Sequence, residues 1–283
     1  MNPLRKYAYS NIWNLGFIRE PLDRILLTDQ PLTIDYMKHG FKDRWFADPF
    51  ILDVTDKYIY ILVEEYYSKI QRGRIAKLTV NRDGYVLEKS ETILELDTHL
   101  SFPAILRSGD KTYIYPENSE SGQLKLYEYD LDANKCHLTK TLCPEPLTDA
   151  IITDAGGREC IMSTQLPTQN MNILGCYDKE GLTKQFVFAD NTARNAGDWF
   201  EFQGEWYRPA QDCNRTYGEA VILQKIRFED GELKTEDVRR ITSNHPRLNV
   251  GCHTFNHYNG VSVIDVKGWW HPSAHAVYDF LKG

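Results

Sequence analysis

Length, composition and charge already exclude several classes of protein. The chain of 283 residues is long enough to bury a large core, and its 17 Tyr within a 12% aromatic fraction favour ordered strands over disorder. A formal net charge of −7, with no cluster of Lys and Arg, argues against a nucleic-acid partner, because phosphate binding requires such clusters.

The N-terminal segment MNPLRKYAYSNIWNLGFIRE contains no apolar stretch of signal-peptide length. The longest apolar run of the chain, Tyr58 to Val63, is too short to span a bilayer, so we expect a cytoplasmic protein with no membrane span. We then expect reduced thiols packed in strands, because the cysteines form no CxxC pair and no zinc spacing. They are Cys136, Cys143, Cys160, Cys176, Cys213 and Cys252. The sequence predicts no metal site and no cofactor.

Five segments of the chain repeat one pattern, which consists of a short strand, a turn containing Asp, Gly or Asn, and an alternating apolar strand. In chain order they are ADPFILDVTDKYIYILVEEY, SFPAILRSGDKTYIYPENSE, TDAIITDAGGRECIMSTQLP, NAGDWFEFQGEWYRPAQDCN and GCHTFNHYNGVSVIDVKGWW. Two further strand-like stretches usually follow, such as GRIAKLTVNR and LKLYEYDL. The pattern therefore predicts four strands in each repeat.

The spacing of the repeats predicts the fold. They open near Asp48, Phe102, Asp149, Ala196 and Cys252, at spacings of 54, 47, 47 and 56 residues. A period of about fifty residues with four strands is typical of a propeller blade. We therefore predict an all-β, five-bladed β-propeller with four-stranded antiparallel blades, in which residues 1–283 form one domain and residues 1–43 close the ring. A β-sandwich of irregular hairpins is the alternative.

The repeats also carry motifs that resemble known families. The series WFADPF, HLSFP, YPEN, YRPAQD and GCHTFN resembles the propeller domain at the N-terminus of plant glucosamine inositolphosphorylceramide transferases and of related bacterial proteins. The architecture and the ADPF motif resemble the clan of glycoside hydrolase families 43, 62, 32 and 68. In that clan an Asp of blade one is base or nucleophile, an Asp of blade three tunes the acid, and a Glu near blade four donates the proton. The resemblance implies the first two roles for Asp48 and Asp149.

Blade four departs from the clan's pattern, because its segment TARNAGDWF contains no Glu. The expected replacement is Glu117 or Glu65, each at the end of the second strand of its blade, and Glu117 is preferred. A general acid needs a raised pKa, which neighbouring aromatic side chains favour by desolvating the carboxylate. Since side chains alternate along a strand, at most one of Glu64 and Glu65 faces the channel. The predicted catalytic residues are thus Asp48, Glu117 and Asp149.

A second set of residues is predicted to bind the substrate. Sugars are held by planar hydrogen-bonding groups and aromatic faces, and Trp45 is the expected stacking platform. Arg194 and Arg208 could instead hold a phosphate or carboxylate. His99 and His253 are expected to hydrogen-bond a hydroxyl or a backbone group rather than a metal. The predicted binding residues are Trp45, Glu65, His99, Arg194, Arg208, Gln211, Asp212, Tyr217 and His253.

Structural roles are the alternative for several of these residues. Asp48 precedes Pro49 and suits an Asx turn, Asp149 suits a loop end, and Arg208 suits a surface salt-bridge network. If the first strands line the channel, however, Asp48, Glu117, Arg208 and His253 should surround one pocket.

Three functions compete on these observations. The sequence favours a glycosidase-like enzyme that acts on a glycoside in the central channel. The alternative is a non-hydrolytic domain that binds a sugar, a nucleotide sugar or a glycolipid headgroup in glycan biosynthesis, with a glycosyltransferase as its partner; the missing Glu of blade four favours it. A protein-interaction propeller ranks last, because the Trp-Asp dipeptide typical of such propellers is missing.

Overall fold

The computed structural model describes residues 10–154, 156–157, 159–165 and 171–280. The strands of this part of the chain form five four-stranded sheets, which confirms the predicted five-bladed β-propeller. The strands are β1 (Asn11–Ile18), β2 (Ile34–Tyr36), β3 (Arg44–Val54), β4 (Tyr58–Tyr67), β5 (Arg72–Asn81), β6 (Val86–Leu94), β7 (Ser101–Ser108), β8 (Lys111–Glu117), β9 (Leu124–Asp130), β10 (Lys135–Cys143), β11 (Leu147–Thr153), β12 (Cys160–Gln165), β13 (Ile173–Asp178), β14 (Gly181–Val187), β15 (Phe200–Phe202), β16 (Glu205–Asp212), β17 (Ala220–Glu229), β18 (Glu232–Ile241), β19 (Phe255–Tyr258) and β20 (Val261–Trp269).

Helical structure is sparse in the described part of the chain. The helices are α1 (Leu22–Leu27) and α2 (Pro272–Phe280), and a 3₁₀ turn spans Ser119–Ser121. No helix in the described ranges combines the length and the apolar character needed to cross a membrane.

The fifth blade is assembled from both ends of the chain. Blades one to four are formed by β3 to β6, β7 to β10, β11 to β14 and β15 to β18, whereas blade five has the strand order β19, β20, β1, β2. Strand β1 pairs antiparallel with β20 over its whole length, from Asn11 opposite Trp269 to Ile18 opposite Ser262. The hydrogen bonds between β1 and β20 therefore close the ring of blades.

Alternation along the strands packs each blade against its two neighbours. In β4, Leu62 belongs to the apolar cluster that contains Phe102 of blade two, whereas Ile61 belongs to the cluster that contains Leu15 of blade five. Successive side chains of a strand point to opposite faces, so one strand supplies both interfaces. The apolar side chains of the strands thus pack between the blades, whereas polar side chains such as Asp48 and Glu117 lie at the strand ends that surround the channel.

A β-bulge recurs in the first strand of blades one, two and three. Asp48, Phe102 and Asp149 have φ of 50°, 45° and 45°, and in each strand the pairing with the second strand shifts at this point. A bulge leaves the extra residue out of the ladder, so its N–H needs another acceptor. In blades four and five the predicted openings Ala196 and Cys252 each directly follow a residue in an isolated bridge, before β15 and β19 begin.

The expectation that all six cysteines are reduced is wrong for one pair. Cys160 of β12 and Cys176 of β13 form a disulfide, because adjacent antiparallel strands bring their Cα atoms to 5.8 Å. The pairing has no sequence motif, since the two residues are separated by 16 positions. The free cysteines are Cys136, Cys143, Cys213 and Cys252.

Candidate functional site

Polar side chains from several blades meet at one end of the channel. In each blade the beginning of the first strand lies beside the end of the second strand. The paired positions include Ala47 with Glu64, Ser101 with Glu117, and Thr148 with Thr164. Seven of the predicted site residues meet there, and we call the place that they surround the channel mouth: Asp48, Glu117, Asp149, Arg194, Gln211, Tyr217 and His253. Their contacts form two groups, which the ring of Tyr217 joins by lying against both Arg194 and His253.

The first group contains Asp48, His253 and Asp265 of β20, all buried. His253 Nδ1 lies 2.7 Å from Asp265 Oδ2 and 3.7 Å from Asp48 Oδ1. Burial alone would lower the pKa of His253, but the two carboxylates outweigh it and raise the pKa to about 9. Burial raises the pKa of Asp48 to about 7, although His253 opposes this shift. His253 is therefore an imidazolium at neutral pH.

Among the residues that the structure describes, these three also have the composition of a metal site, because one ligand atom of each lies within 4.8 Å of the others. Their lone pairs are already engaged. Asp48 accepts hydrogen bonds from Thr254 Oγ1 at 2.9 Å and from the backbone N–H of Phe102 at 3.0 Å. Besides its contact with the His253 ring, Asp265 accepts hydrogen bonds from three backbone N–H groups, those of Asp48, His253 and Thr254. The donor set thus fits a buried ion pair better than a metal centre.

The second group contains Glu117, Asp149, Arg194 and Gln211. Arg194 donates from Nε to Asp149 Oδ2, which also accepts from Gln211 Nε2 at 2.7 Å. A second contact of 3.7 Å joins Arg194 to Glu117. Burial and the neighbouring charge of Asp149 raise the pKa of Glu117 to about 8, even though Arg194 opposes the shift. Glu117 is consequently protonated for the most part at neutral pH, whereas Asp149 is paired with a cation.

Carboxylates of the channel also accept the bulge N–H groups described above. The N–H of Asp48 donates to Asp265 of blade five at 3.1 Å, and that of Phe102 donates to Asp48 at 3.0 Å. The N–H of Asp149 donates to Glu117 of blade two at 3.1 Å. We call this series the carboxylate–amide chain. Each bond joins one blade to the next, so these carboxylates also have a structural role.

Glu64, not Glu65, faces the channel side of blade one. Glu65 is 1% exposed and forms ion pairs with Arg44 at 3.0 Å and with Arg74 at 2.6 Å on the opposite face. Glu64 Oε1 instead accepts from His99 Nε2 at 3.1 Å. The alternation along β4 allowed one of the two to face the channel, but the phase of the alternation was not readable from the sequence.

His99 is held in one orientation beside Glu64. Its Nδ1 accepts the N–H of Gly73 at 3.0 Å, so its proton resides on Nε2 and is donated to Glu64. Gly73 is required at this position, because a Cβ there would collide with the carbonyl of Leu100 and lie 2.6 Å from Glu64 Oε1. The dyad leaves the second oxygen of Glu64 without a hydrogen bond from the described residues.

Trp45 lies on the same face of blade one as Glu64. Its ring stacks on that of Tyr66 with the centroids 4.8 Å apart and the planes within 5°. Trp45 pairs with Tyr66 across the strands and Ala47 pairs with Glu64, which places the two rings next to the Glu64 side chain. Both aromatic residues are partly exposed. Blade one therefore presents a flat aromatic surface beside a carboxylate.

Arg208, in contrast, does not face the channel mouth. It has no exposed surface and donates to Asn195 Oδ1, Gln224 Oε1 and the carbonyl of Thr192. Burial lowers its pKa to about 9. The structure therefore places Arg208 behind the segment that carries Arg194, where it satisfies backbone and amide oxygens rather than a ligand.

Strand alternation also separates the two neighbouring predictions in β16. Gln211 points to Asp149, whereas Asp212 points away and pairs with Arg240 at 3.0 Å. The pKa of Asp212 is lowered, because hydrogen bonds from Asn214 and Arg240 outweigh the effect of burial. Asp212 stabilises the outer strands of blade four and does not reach the mouth.

Three residues of blade five at the mouth were not identified from the sequence: Trp13, Asp265 and Lys267. Trp13 of β1 stacks on the His253 ring at 4.1 Å, and Lys267 of β20 has its Nζ 5.3 Å from the Trp13 ring. Trp13 lies in the segment that closes the ring, so no repeat aligned it with the site. Asp265 and Lys267 are two positions apart in β20 and so lie on the same face of the strand, but no motif of the repeat marked either residue.

Comparison with known proteins gives a family match. The profile described as "Glucosamine inositolphosphorylceramide transferase 1, N-terminal" matches residues 30–267. Proteins named glucosamine inositolphosphorylceramide transferase 1 are similar: that of Oryza sativa subsp. japonica is 26% identical over 200 residues, which cover 66% of this chain and 27% of the relative. That of Arabidopsis thaliana is 25% identical over 251 residues, covering 84% and 32%. The chain thus spans less than a third of the length of these relatives.

Solved structures with the same fold come from glycoside hydrolase family 43. One is a β-xylosidase/α-arabinofuranosidase from a compost microbial metagenome in complex with xylotriose, with a TM-score of 0.51, 12% identity, and 77% of this chain and 83% of that chain covered. Another is a GH43_1 enzyme from Xanthomonas citri complexed with xylotriose, with a TM-score of 0.51, 11% identity, and 78% and 86% covered. At these identities the likeness is one of fold.

Proposed function

The chain belongs to the glucosamine inositolphosphorylceramide transferase 1, N-terminal family, and from this premise we propose that it is a carbohydrate-recognition domain of glycolipid glycosylation. Its channel mouth binds a sugar or cyclitol ring and does not hydrolyse a glycosidic bond. The relatives are named as transferases, and the match covers less than a third of their length. We therefore assign the transfer step to a partner glycosyltransferase region.

The observation that carries the proposal is the pairing of the channel carboxylates with protein donors. Hydrolysis of a glycoside requires two carboxyl groups that are free to act on the bond and on water. Here Asp48 accepts hydrogen bonds at both oxygens, and Asp149 is paired with Arg194. Arg194 lies in the blade-four segment that lacks a Glu, so a fixed cation lies between Asp149 and Glu117. Such a mouth orients a ligand rather than attacking it.

Blade one supplies the chemistry that favours a polyhydroxylated ring. The stacked pair Trp45 and Tyr66 offers an apolar face to the C–H side of a ring. Glu64, held by His99, keeps one carboxylate oxygen available to accept a hydroxyl proton. An aromatic face beside an oriented hydrogen-bond acceptor is the arrangement that a sugar or a cyclitol needs.

The test is calorimetric titration of the purified protein with methyl pyranosides, myo-inositol and nucleotide sugars. We expect Trp45→Ala and Glu64→Gln each to weaken binding of the best ligand about tenfold, because each removes one contact worth about 1.4 kcal/mol. The matched control for the second variant is Glu128→Gln, since Glu128 pairs with Lys111 on the outer part of blade two. Unchanged affinity in both site variants contradicts the proposal.

A glycosidase-like activity is the second candidate, and one observation favours it. Glu117 has a pKa of about 8 and thus carries a proton at neutral pH, as a general acid must. Release of product from a panel of aryl furanosides and pyranosides, lost in both Glu117→Gln and Asp48→Asn, would establish hydrolysis and overturn pure recognition. We expect no turnover from the unaltered protein.

A further inference from the structure

The blade-four and blade-five side of the mouth holds three cationic side chains around two aromatic rings. The Tyr217 ring lies 5.1 Å from Arg194 Cζ and 5.7 Å from Lys267 Nζ, and it meets His253 edge-on at 5.5 Å. The Trp13 ring stacks on His253 at 4.1 Å and lies 5.3 Å from Lys267 Nζ. Cations are attracted to aromatic faces, so the two rings gather positive charge at this wall.

The positive charge at this wall is not fully compensated. Arg194 is paired with Asp149, and His253 is paired with Asp265. Lys267, in contrast, has no carboxylate within 4 Å of its Nζ among the residues that the structure describes. Lys267 is half-buried, and burial lowers its pKa. Asp265 acts on Lys267 only from a longer distance, and a partly desolvated ammonium with no carboxylate in contact favours an anion beside it.

The segment that carries Tyr217 is packed onto this wall by two glycines. Gly218 has φ of 61°, and a Cβ there would lie 2.7 Å from the Cβ of His253. Gly251 lies beside the stem of Lys267, where a Cβ would lie 3.3 Å from Cδ of the lysine and 2.5 Å from the Gly218 carbonyl. The absence of both Cβ atoms lets the backbone approach the cations closely.

Tyr217 itself is open on one side. It is 41% exposed, and its hydroxyl makes no hydrogen bond to another residue of the described part of the chain. The ammonium of Lys267 lies 5.7 Å from the centre of the Tyr217 ring, so this side of the mouth offers two kinds of donor, an N–H and a phenol O–H, to the oxygens of an anion.

We propose that Lys267 and Tyr217, with Arg194 behind them, form a subsite for the phosphate of a phosphate ester. Blades four and five form this subsite and blade one carries the aromatic face, so a ligand with a ring and a phosphate would place the ring on Trp45 and the phosphate on Lys267. This inference rests on the proposed function, which is the binding of a sugar or cyclitol ring, and it adds that the ligand carries a negatively charged phosphate. The phosphate belongs to either a phosphodiester headgroup or a nucleoside diphosphate.

The experiment compares phosphate-bearing probes with neutral ones by titration calorimetry on the whole chain. The probes are glycerophosphoinositol, uridine diphosphate, inorganic phosphate and, as the neutral reference, myo-inositol. We expect Lys267→Gln to weaken the better phosphate ester at least about tenfold and to leave myo-inositol unchanged, whereas Lys267→Arg keeps the charge and most of the affinity. The matched control is Lys225→Gln in β17, which removes an ammonium that is paired with Glu205 of β16.

The remaining outcomes separate this inference from the proposed function. If myo-inositol binds and the phosphate esters bind no more tightly, the phosphate subsite is wrong and the sugar site stands. If phosphate esters bind with dependence on Lys267 but not on Trp45, the subsite stands and the sugar site is wrong. Wild-type affinity of Lys267→Gln for both esters overturns the subsite. A preference for glycerophosphoinositol or for uridine diphosphate supports the subsite and identifies its source of phosphate.

Discussion

Glu117 and His253 illustrate how burial and neighbouring charge determine protonation at single residues. Burial and the charge of Asp149 raise the pKa of Glu117 from 4.5 to about 8. The pKa of His253 rises from 6.5 to about 9, because Asp265 and Asp48 outweigh the effect of burial. Both groups therefore bind protons more tightly in the folded protein than in the unfolded chain. Folding takes up protons, and stability must fall as these protons are lost.

We predict that the free energy of unfolding decreases as the pH rises. The contribution of Glu117 is complete below its unfolded pKa of 4.5 and is lost by about pH 8, and that of His253 is lost between pH 6.5 and about 9. Glu117→Gln keeps the uncharged form at every pH, so its stability should decline less across the first window. Urea unfolding at a series of pH values measures this, with exposed Glu201→Gln as the control. Parallel pH profiles of Glu117→Gln and the unaltered protein would contradict the prediction.

The sequence predicted the positions of those site residues that lie at the start of a repeat. Aligned blade openings brought Asp48, Asp149 and His253 to one end of the channel. The choice of Glu65 over Glu64, and the inclusion of Arg208 and Asp212, failed for one physical reason. The direction of a side chain depends on the phase of the pleat, so neighbours such as Gln211 and Asp212 point to opposite faces. A single sequence shows the alternation but not its phase.

At the scale of the element, the bulge is the feature that builds the mouth. Asp48 and Phe102 adopt left-handed backbone conformations, which cost energy in residues other than glycine. The cost is offset because each N–H reaches a carboxylate of the neighbouring blade. Asp is compatible with this backbone, whereas Phe102 is kept there by complete burial and an edge-on contact with Phe50.

We predict a large difference between two substitutions of the bulge residue Asp48. Asp48→Ala leaves the Phe102 N–H and the Thr254 hydroxyl without their acceptor, at about 1–3 kcal/mol each. Asp48→Asn keeps an acceptor and tolerates the backbone, so it should cost about 1 kcal/mol or less. Urea unfolding compares both with Asp53→Ala, an exposed change in the same strand. Equal costs for Ala and Asn would show that the hydrogen bonds do not stabilise the bulge.

At the scale of the whole molecule, the chain closes its ring through β1. The five-fold period predicted the blade number, because each repeat contributes one hairpin of recognisable length. The disulfide of blade three was not predictable, since its two cysteines become neighbours through the pairing of β12 with β13. Trp13 was missed for a related reason. It lies in β1 near the N-terminus and reaches blade five only through the pairing of β1 with β20 near the C-terminus.

We predict that weakening β1 lowers the stability of the entire propeller. Leu15 of β1 is fully buried between blades five and one, and Leu15→Ala should cost about 2–5 kcal/mol. Leu138→Ala in the outer strand β10 is the matched control, because Leu138 is 61% exposed. Thermal unfolding followed by far-UV and near-UV circular dichroism should give coincident, shifted transitions for Leu15→Ala. A separate early transition would show that blade five unfolds alone.

The carboxylate–amide chain has a consequence for how this domain can change through mutation. The acceptor for the bulge of one blade is supplied by the blade before it, so a blade does not carry all the parts of its own opening. Transplanting a single blade from a relative would leave one orphaned amide and one idle carboxylate at its two borders. A transplanted blade should therefore need a matching carboxylate in the blade before it and a matching amide in the blade after it, and substitutions at Asp48 and Asp265 should be non-additive.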